Sequence, residues 1–378
     1  MSTVLMLSAA HPAGDTRVVR KEGAALAAAG WRVLHLCPGD VEGSIDGVSI
    51  IPHRRRRLRG LWGLAGDAAK LRPAVIHASE PDAWLAALIA ARRCGARVVL
   101  DVHEHYPSRL DARLPAPLRT VMRRAIEAAC RAMGAAADAV VVAKDGLDDA
   151  FGGGARIVKV RNYAPAPVAP PREQRAGPLA LGHLGAITRS RGWPVMLDAL
   201  ARGDAATRLM LIGRFTDGSE AAFQARAAAL GVAARVTVTG WLPQAEALRR
   251  LRDCDVALVL FQPGEENHRL ALPHKLFDAM AAGVPVIAPA FAEEVAAVVQ
   301  ASGCGVLVDS GDAAAVAAAV ASLTDPGRRA ALGGAGWRAA REDFAWEAEA
   351  ARLVALYRSL GSCGVTRQKA GRSAGAAV

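Results

Sequence analysis

The chain has 378 residues, too many for one ordinary hydrophobic core and enough for two domains. Hydrophobic residues make up 52% of it, yet no apolar run is long enough to span a membrane. The opening, MSTVLMLSAAHPAGDTR, lacks the basic start and long apolar stretch of a secretory signal and reads as a first strand, so a cytoplasmic location is expected.

The net charge is +11, and it is unevenly placed. Residues 1–175 hold 26 Lys and Arg against 17 Asp and Glu; the remainder holds 21 against 19. The densest spot contains Arg54, Arg55, Arg56, Arg57 and Arg59, followed by Leu61 and Trp62. Arginines beside apolar side chains suit an anionic membrane surface; a solvated loop in an arginine-rich composition is the alternative. Nucleic acid is not an expected partner, because the chain has no basic-aromatic RNA-binding motif and no zinc module. The six cysteines form no CxxC pair and no His/Cys metal spacing, so isolated thiols in a reducing compartment are expected.

In chain order, short Val/Leu/Ile runs alternate with Ala-rich amphipathic segments. Strands are predicted at residues 3–8, 32–36, 48–52, 74–77, 97–101, 139–143 and 156–160. A helix is predicted over residues 17–29, with Gly30 as its C-terminal cap. Residues 164–178, APAPVAPPREQRAGP, contain five prolines and read as a linker. Strands follow at residues 179–184, 208–213, 235–239, 255–261, 284–288 and 305–308. Runs apolar on both faces, joined by helical crossovers, predict parallel sheets covered on both sides. The expected architecture is therefore α/β. Residues 1–163 and 179–343 would be two Rossmann-like, doubly wound domains facing across a cleft. A last helix at 344–360 would pack back on the first domain, and the tail at 361–378, rich in Gly, Ala, Ser and Arg, would be disordered.

Motifs narrow the chemistry. No GxGxxG follows a predicted strand, and there is no GxxxxGK[ST] or GxSxG. Asp253-Cys254-Asp255 matches a DxD metal pattern, but it lies at a helix-to-strand junction where Asp caps are common. The informative run is residues 272–288, LPHKLFDAMAAGVPVIA. Pro273 opens a helix, Lys275 and Asp278 lie on its first turns, Gly283 ends it and a buried strand follows. Such a unit presents a helix N-terminus and a cation, which suit phosphate, and a carboxylate, which suits ribose hydroxyls. Lysine is scarce, occurring at 21, 70, 144, 159, 275 and 369, so one at this place is notable. Arg189 and Arg191 lie in the loop TRSRG, as further candidates for an anionic leaving group. Lys275 and Asp278, three residues apart, share a helix face and could instead form an ion pair.

Four segments resemble the family-4 glycosyltransferases: HPAGDTRVVRKEGAALAAAGWRVLHL (residues 11–36), VVLDVHEHYP (98–107), LGHLGAITRSRGWPVMLDAL (181–200) and VTVTGWLPQAEALRR through FAEEV (236–295). The resemblance implies a GT-B fold, a nucleotide-diphosphate sugar as donor, no cofactor or essential metal, and retention of anomeric configuration. It places Lys275 and Arg191 at the leaving group, with Arg189 and Gly283 in the same donor-binding half. Asp278 takes the position of the carboxylate that holds the ribose, and His103 that of a group reaching the reacting sugar. Glu104 follows His103 just past a strand's end. Asp15 and Arg17 follow the first strand and either bind an acceptor or cap the first helix. The expected acceptor is a glycan or lipid-linked molecule, and the positive first half of the chain motivates a lipid-linked anionic glycan at the inner membrane face.

The chain also departs from the family pattern. Where two glutamates usually stand, this sequence has Leu270 and Asp278, and Ala186 replaces a common arginine. These departures keep open a non-catalytic partner that retains the fold; a nucleotide-sugar epimerase is a further alternative, for which Glu104 and Asp101 are a poor carboxylate pair.

Overall fold

Each predicted strand is present, and apolar residues on both faces explain why all but one pair run parallel. The computed structural model describes residues 2–153 and 156–373, and only the backbone of residue 112 and of residues 361–373. The chain divides into two compact units, Met1–Asn162 with Glu347–Val378, and Tyr163–Trp346.

The first unit is built on eight strands: β1 (Thr3–Leu7), β2 (Arg32–Pro38), β3 (Gly43–Ile45), β4 (Val48–His53), β5 (Val75–Ala78), β6 (Arg97–Val102), β7 (Ala139–Val142) and β8 (Ile157–Lys159). Their order is β3-β4-β2-β1-β5-β6-β7-β8, antiparallel only between β3 and β4. The short β3, which the sequence reading missed, is largely exposed and too polar to stand out from a turn. Leu5, Leu7, Ile76, Leu100 and Val140 form the sheet's contribution to one core, closed by Trp84 and Phe151. The strand order reverses between β1 and β5, which opens a crevice at their carboxyl ends.

The first helix is not the regular one expected over 17–29. Residues Val18–Gly23 wind as a π-helix, and Ala24–Ala28 continue as an α-helix. The widened turn buries Lys21 and Glu22 together with Val18 and Val19. The closing helix, Trp346–Ser373, belongs to this unit from Glu347 onward and runs past the expected boundary at 360. The last five residues of the tail expected to be disordered, 374–378, lie outside the described residues. No helix among the described residues is long and apolar enough to cross a membrane.

The second unit carries β9 (Ala180–Leu184), β10 (Arg208–Ile212), β11 (Val236–Val238), β12 (Val256–Leu258), β13 (Val286–Pro289) and β14 (Gly305–Val308). The order β11-β10-β9-β12-β13-β14 is parallel throughout and reverses between β9 and β12. The proline-rich segment 164–178 forms no regular element but is held to this unit. Trp346 N donates to Ala164 O at 2.9 Å, and Trp337 Nε1 to Ala169 O at 2.9 Å. The fully buried Arg329 donates to Gln174 Oε1 and Arg175 O.

The helix His274–Ala282 starts after Pro273 and stops at Gly283, whose φ of +69° belongs to the left-handed region. A Cβ on Gly283 would sit 2.5 Å from Pro171 Cβ. Backbone strain and this clash act together, so Gly283→Ala should lower stability by about 2 kcal/mol or more. Urea unfolding of the variant tests this; an unchanged midpoint would remove the packing role.

Candidate functional site

In the second unit, β9 ends at Leu184 and the chain turns through Gly185, φ +108°. A short turn, Arg189–Arg191, follows and is capped by Thr188 Oγ1, which accepts from Arg191 N at 3.1 Å. Lys275 rises from the first turn of the helix His274–Ala282. A Cβ on Gly185 would lie 3.7 Å from Lys275 Nζ and 3.9 Å from Arg191 Nη1. The missing side chain thus leaves the two cations flanking an open edge of backbone at the switch between β9 and β12. Neither Lys275 nor Arg191 has an ion-pair partner among the described residues. Burial, then the Arg191 charge, hold the Lys275 ammonium well below the usual lysine range, partly offset by Asp278. Burial likewise lowers Arg191. Two part-buried cations with no direct ion-pair partner form a cradle suited to a polyanion.

His183, on β9, supports this cradle. It is 1% exposed; its Nδ1 lies 3.0 Å from Leu258 O and its Nε2 3.3 Å from Lys275 Nζ. The shorter contact assigns the proton to Nδ1, which donates to the carbonyl, so Nε2 accepts from the ammonium. Burial and the charges of Lys275 and Arg191 press the His183 pKa down to about 3, which keeps the imidazole neutral. The sequence reading had no role for His183. A histidine two residues before the loop glycine was the only signal. Phe261 adds a ring 5.6 Å from Lys275 Nζ.

Asp278 does not pair with Lys275. It is 7% exposed, and its Oδ2 accepts from His274 Nδ1 at 2.7 Å. Positions i and i+4 put His274 closer than Lys275, and the neighbouring imidazole takes the carboxylate. The Arg189 guanidinium lies over the Trp193 ring at 5.0 Å and forms no ion pair among the described residues, while its backbone N donates to Asp217 Oδ2 at 2.8 Å. Gly283 serves as the helix end. Leu270 is buried, so no polar side chain enters from that position. Asp255 of the DxD pattern accepts from Ala180 N at 2.8 Å and pairs with Arg172, which ties β9, β12 and the 164–178 segment together.

In the first unit, Arg17 is 6% exposed and does not present itself to a ligand. Its Nη2 lies 2.8 Å from Glu22 Oε1 and 2.9 Å from Asp101 Oδ1, and Nη1 donates to Val160 O. Two buried carboxylates claim the guanidinium, which corrects its expected place on the acceptor side. His77 joins them, 3.3 Å from Glu22 Oε2 and 3.5 Å from Asp101 Oδ2, with Nδ1 bonded to Tyr357 Oη at 2.7 Å. Burial opposes charge on His77, but Asp101 and Glu22 outweigh it and raise its pKa to about 9. Glu22, His77 and Asp101 have the spacing of a metal-ligand group. Arg17 and protonated His77 already supply the positive charge there, so the group reads as a closed ion cluster.

His103, just past β6, contacts Asp101 through Nε2. Asp15 Oδ1 caps the next turn by accepting from Arg17 N and Val18 N, each at 2.9 Å, while its Oδ2 takes His11 Nδ1 at 2.9 Å. Capping and a side-chain partner therefore coexist at Asp15. Glu104 is exposed and pairs with Arg109. His11 and Glu80, which the sequence reading did not single out, join His103 and Asp15 at the carboxyl ends of β1, β5 and β6. The arginine run is less free than its sequence implies: Arg54 pairs with Asp40, Arg55 with Asp67 and Arg57 with Asp82.

Comparison with known proteins agrees with both units. Residues 178–325 match the sequence model of the glycosyl transferases group 1, and residues 13–162 that of the glycosyl transferase 4-like domain. No curated protein matches the sequence. Among solved structures, sucrose-phosphate synthase from Thermosynechococcus elongatus is 21% identical at a TM-score of 0.77, covering 96% of this chain and 99% of that one. HepE of Anabaena in complex with UDP-glucose is 16% identical at 0.73, covering 95% and 100%. WaaG, a glycosyltransferase involved in lipopolysaccharide biosynthesis, is 15% identical at 0.63, covering 94% and 99%. The chain belongs to the family-4-like, group 1 glycosyltransferases, with their GT-B fold.

An anion held by Lys275 and Arg191 would bind with a pH dependence of definite sign. The pKa of Lys275 is lowered, so its charge is lost as pH rises through a value below the usual lysine range, and affinity for a nucleoside diphosphate should fall over that interval. The loss should be roughly tenfold to a hundredfold, the worth of a charge-assisted contact. Lys275→Arg should bind with a flat profile over the same range. A wild-type profile that stays flat up to pH 10 would show that the ammonium does not contact the ligand.

Proposed function

We propose that this protein is a retaining, metal-independent glycosyltransferase that moves a sugar from a nucleotide-diphosphate sugar to a glycan or lipid-linked acceptor. The observation that carries this reading is the uncompensated pair Lys275 and Arg191 beside Gly185. In the proposed step the bond between sugar C1 and the diphosphate oxygen breaks. A bond from C1 to the acceptor oxygen forms on the same face, and the hydroxyl proton leaves with the diphosphate. Negative charge grows on the departing oxygens, where two cations and the helix N-terminus at His274 stabilise it more than they stabilise the ground state. These groups supply the positive charge that a divalent cation would otherwise bring. Asp278, anchored by His274, is assigned to the ribose hydroxyls. HepE binds UDP-glucose, which supports a nucleotide-sugar donor.

The first unit is assigned the acceptor. The carboxylate pair that an epimerase would draw on is engaged: Asp101 is bound by Arg17 and His77, and Glu104 by Arg109. Both assignments favour transfer. A peripheral position at an anionic membrane face, on the cytoplasmic side, is supported by Leu58 and Trp62, 74% and 66% exposed beside Arg56 and Arg59.

A thermal-shift panel of UDP, GDP, dTDP, CDP and ADP, with and without sugars, tests the donor reading. One nucleotide should raise the wild-type midpoint by several degrees through mass action, and Lys275→Ala should abolish the shift. No shift with any nucleotide would favour a non-catalytic partner. For the membrane, replacing Arg56, Leu58, Arg59 and Trp62 together should reduce sedimentation with phosphatidylglycerol vesicles, and added salt should reduce it in the wild type. Sedimentation that is unchanged in the variant would remove that surface from the proposal.

A further inference from the structure

Lys275 differs from Lys21, Lys70 and Lys159 in what surrounds its amine. Lys70 and Lys159 face carboxylates, Asp67 at 3.5 Å and Asp145 at 2.6 Å, and Lys21 donates to Asn162 Oδ1 at 2.8 Å. A carboxylate beside an amine holds a proton on it. Lys275 has no carboxylate in ion-pair range among the described residues. Its hydrogen-bond partner there is His183, whose Nε2 stands 3.3 Å from Nζ. The His183 proton sits on Nδ1, facing Leu258 O at 3.0 Å, so the ring is neutral and supplies no counter-charge.

The amine is also placed to react. Lys275 is half-buried rather than sealed, and a Cβ on Gly185 would lie 3.7 Å from its Nζ and 3.9 Å from Arg191 Nη1. The glycine thus keeps open a space that both groups border, while the Phe261 ring stands 5.6 Å from Nζ. Burial and the Arg191 guanidinium oppose charge on Nζ, Asp278 of the same helix favours it, and the first two prevail and lower the pKa. At a given pH Lys275 therefore holds more neutral amine than an exposed lysine, about ten times more for each unit of lowering. A neutral amine that donates one N–H to His183 Nε2 keeps its lone pair for an electrophile.

We propose that Lys275 is a covalent modification site, acylated by a small acyl phosphate whose phosphate group is held by Arg191. In the step, Nζ attacks the acyl carbon and a C–N bond forms. The bond from that carbon to the phosphate oxygen breaks, and the phosphate leaves with the electron pair and takes the proton that the amine releases. The products are a neutral amide and inorganic phosphate. The guanidinium fork of Arg191 matches phosphate geometry, and holding the phosphate there brings the acyl carbon to the amine. The amide carries no charge, so acylation removes one of the two cations from the cradle. A role for this step in switching off donor binding rests on the proposed glycosyl transfer; the acylation itself does not.

Acetylation of the full chain by acetyl phosphate at pH 8, followed lysine by lysine with peptide mass spectrometry, tests the site. N-hydroxysuccinimidyl acetate, which carries no phosphate, is the comparison reagent. With acetyl phosphate, Lys275 should react roughly tenfold faster than Lys70. Inorganic phosphate should slow that reaction severalfold more than it slows the reaction with the ester. In Arg191→Gln, the Lys275 rate with acetyl phosphate relative to the ester should also fall severalfold. Cys254 and Cys304, buried in the same unit, should stay unreactive toward iodoacetamide in the variant, which excludes unfolding of that unit as the cause. Lys275 reacting no faster than Lys70, no selective slowing by phosphate in the wild type, or an unchanged ratio in a folded Arg191→Gln would each overturn the site. UDP, GDP, dTDP, CDP and ADP are then added one at a time. If acetyl phosphate modifies Lys275 in an Arg191-dependent way and no nucleotide slows it, the donor reading fails and the modification site stands. If a nucleotide binds while Lys275 reacts no faster than Lys70, the modification site fails and the donor reading stands.

Discussion

Asp101 is fully buried at the end of β6, and the first unit is organised around neutralising it. Arg17 reaches it from the loop after β1, His77 from β5, and His103 from its own loop. Burial alone would push the Asp101 carboxyl up; Arg17 and the histidines instead hold it well below the usual carboxylate range. Glu22 enters through the π-helix and Tyr357 through the closing helix, so five separate elements share one cluster. Buried charges of this kind add little net stability, but removing one partner strands the others. The cluster is therefore a constraint on geometry: it fixes the loop after β1 against β5 and β6, and so fixes where Asp15 and His103 stand.

The second unit treats charge in the opposite way. Its scattered carboxylates are matched by arginines, as in Arg172 with Asp255 and Arg226 with Asp198. At the switch between β9 and β12, Lys275 and Arg191 have no ion-pair partner among the described residues, and a neutral His183 contacts the lysine. The cluster around Asp101 thus pairs its buried charges internally, whereas the second unit leaves two cations with no ion-pair partner among the described residues. No count of charged residues shows that contrast, since the first half of the chain carries most of the excess positive charge.

Much of the fold was legible. Strand positions followed from short Val, Leu and Ile runs, because strands buried on both faces are dominated by apolar side chains. The lack of regular structure over 164–178 followed from its prolines, and the helix start before Lys275 from Pro273. What the sequence could not show was pairing at a distance. Arg17, read beside Asp15, was expected near a ligand, but Glu22 and Asp101 capture it. Three of the arginines at 54–59 find Asp40, Asp67 and Asp82, residues 12 to 25 positions away along the chain. Asp278 was read against Lys275, while His274 was closer.

The amino-acid sequence by itself determined the α/β class, the alternation of strands and helices, and the helix that carries Lys275, because these depend on local periodicity and on residues near one another in the chain. Only the tertiary structure decided which charges are neutralised and which remain available. His183 beneath Lys275, Glu80 beside His11 and Tyr357 on His77 are partners separated by 92, 69 and 280 residues. Their proximity follows from strand order in the two sheets, and strand order depends on contacts between segments whose sequences carry no mark of each other.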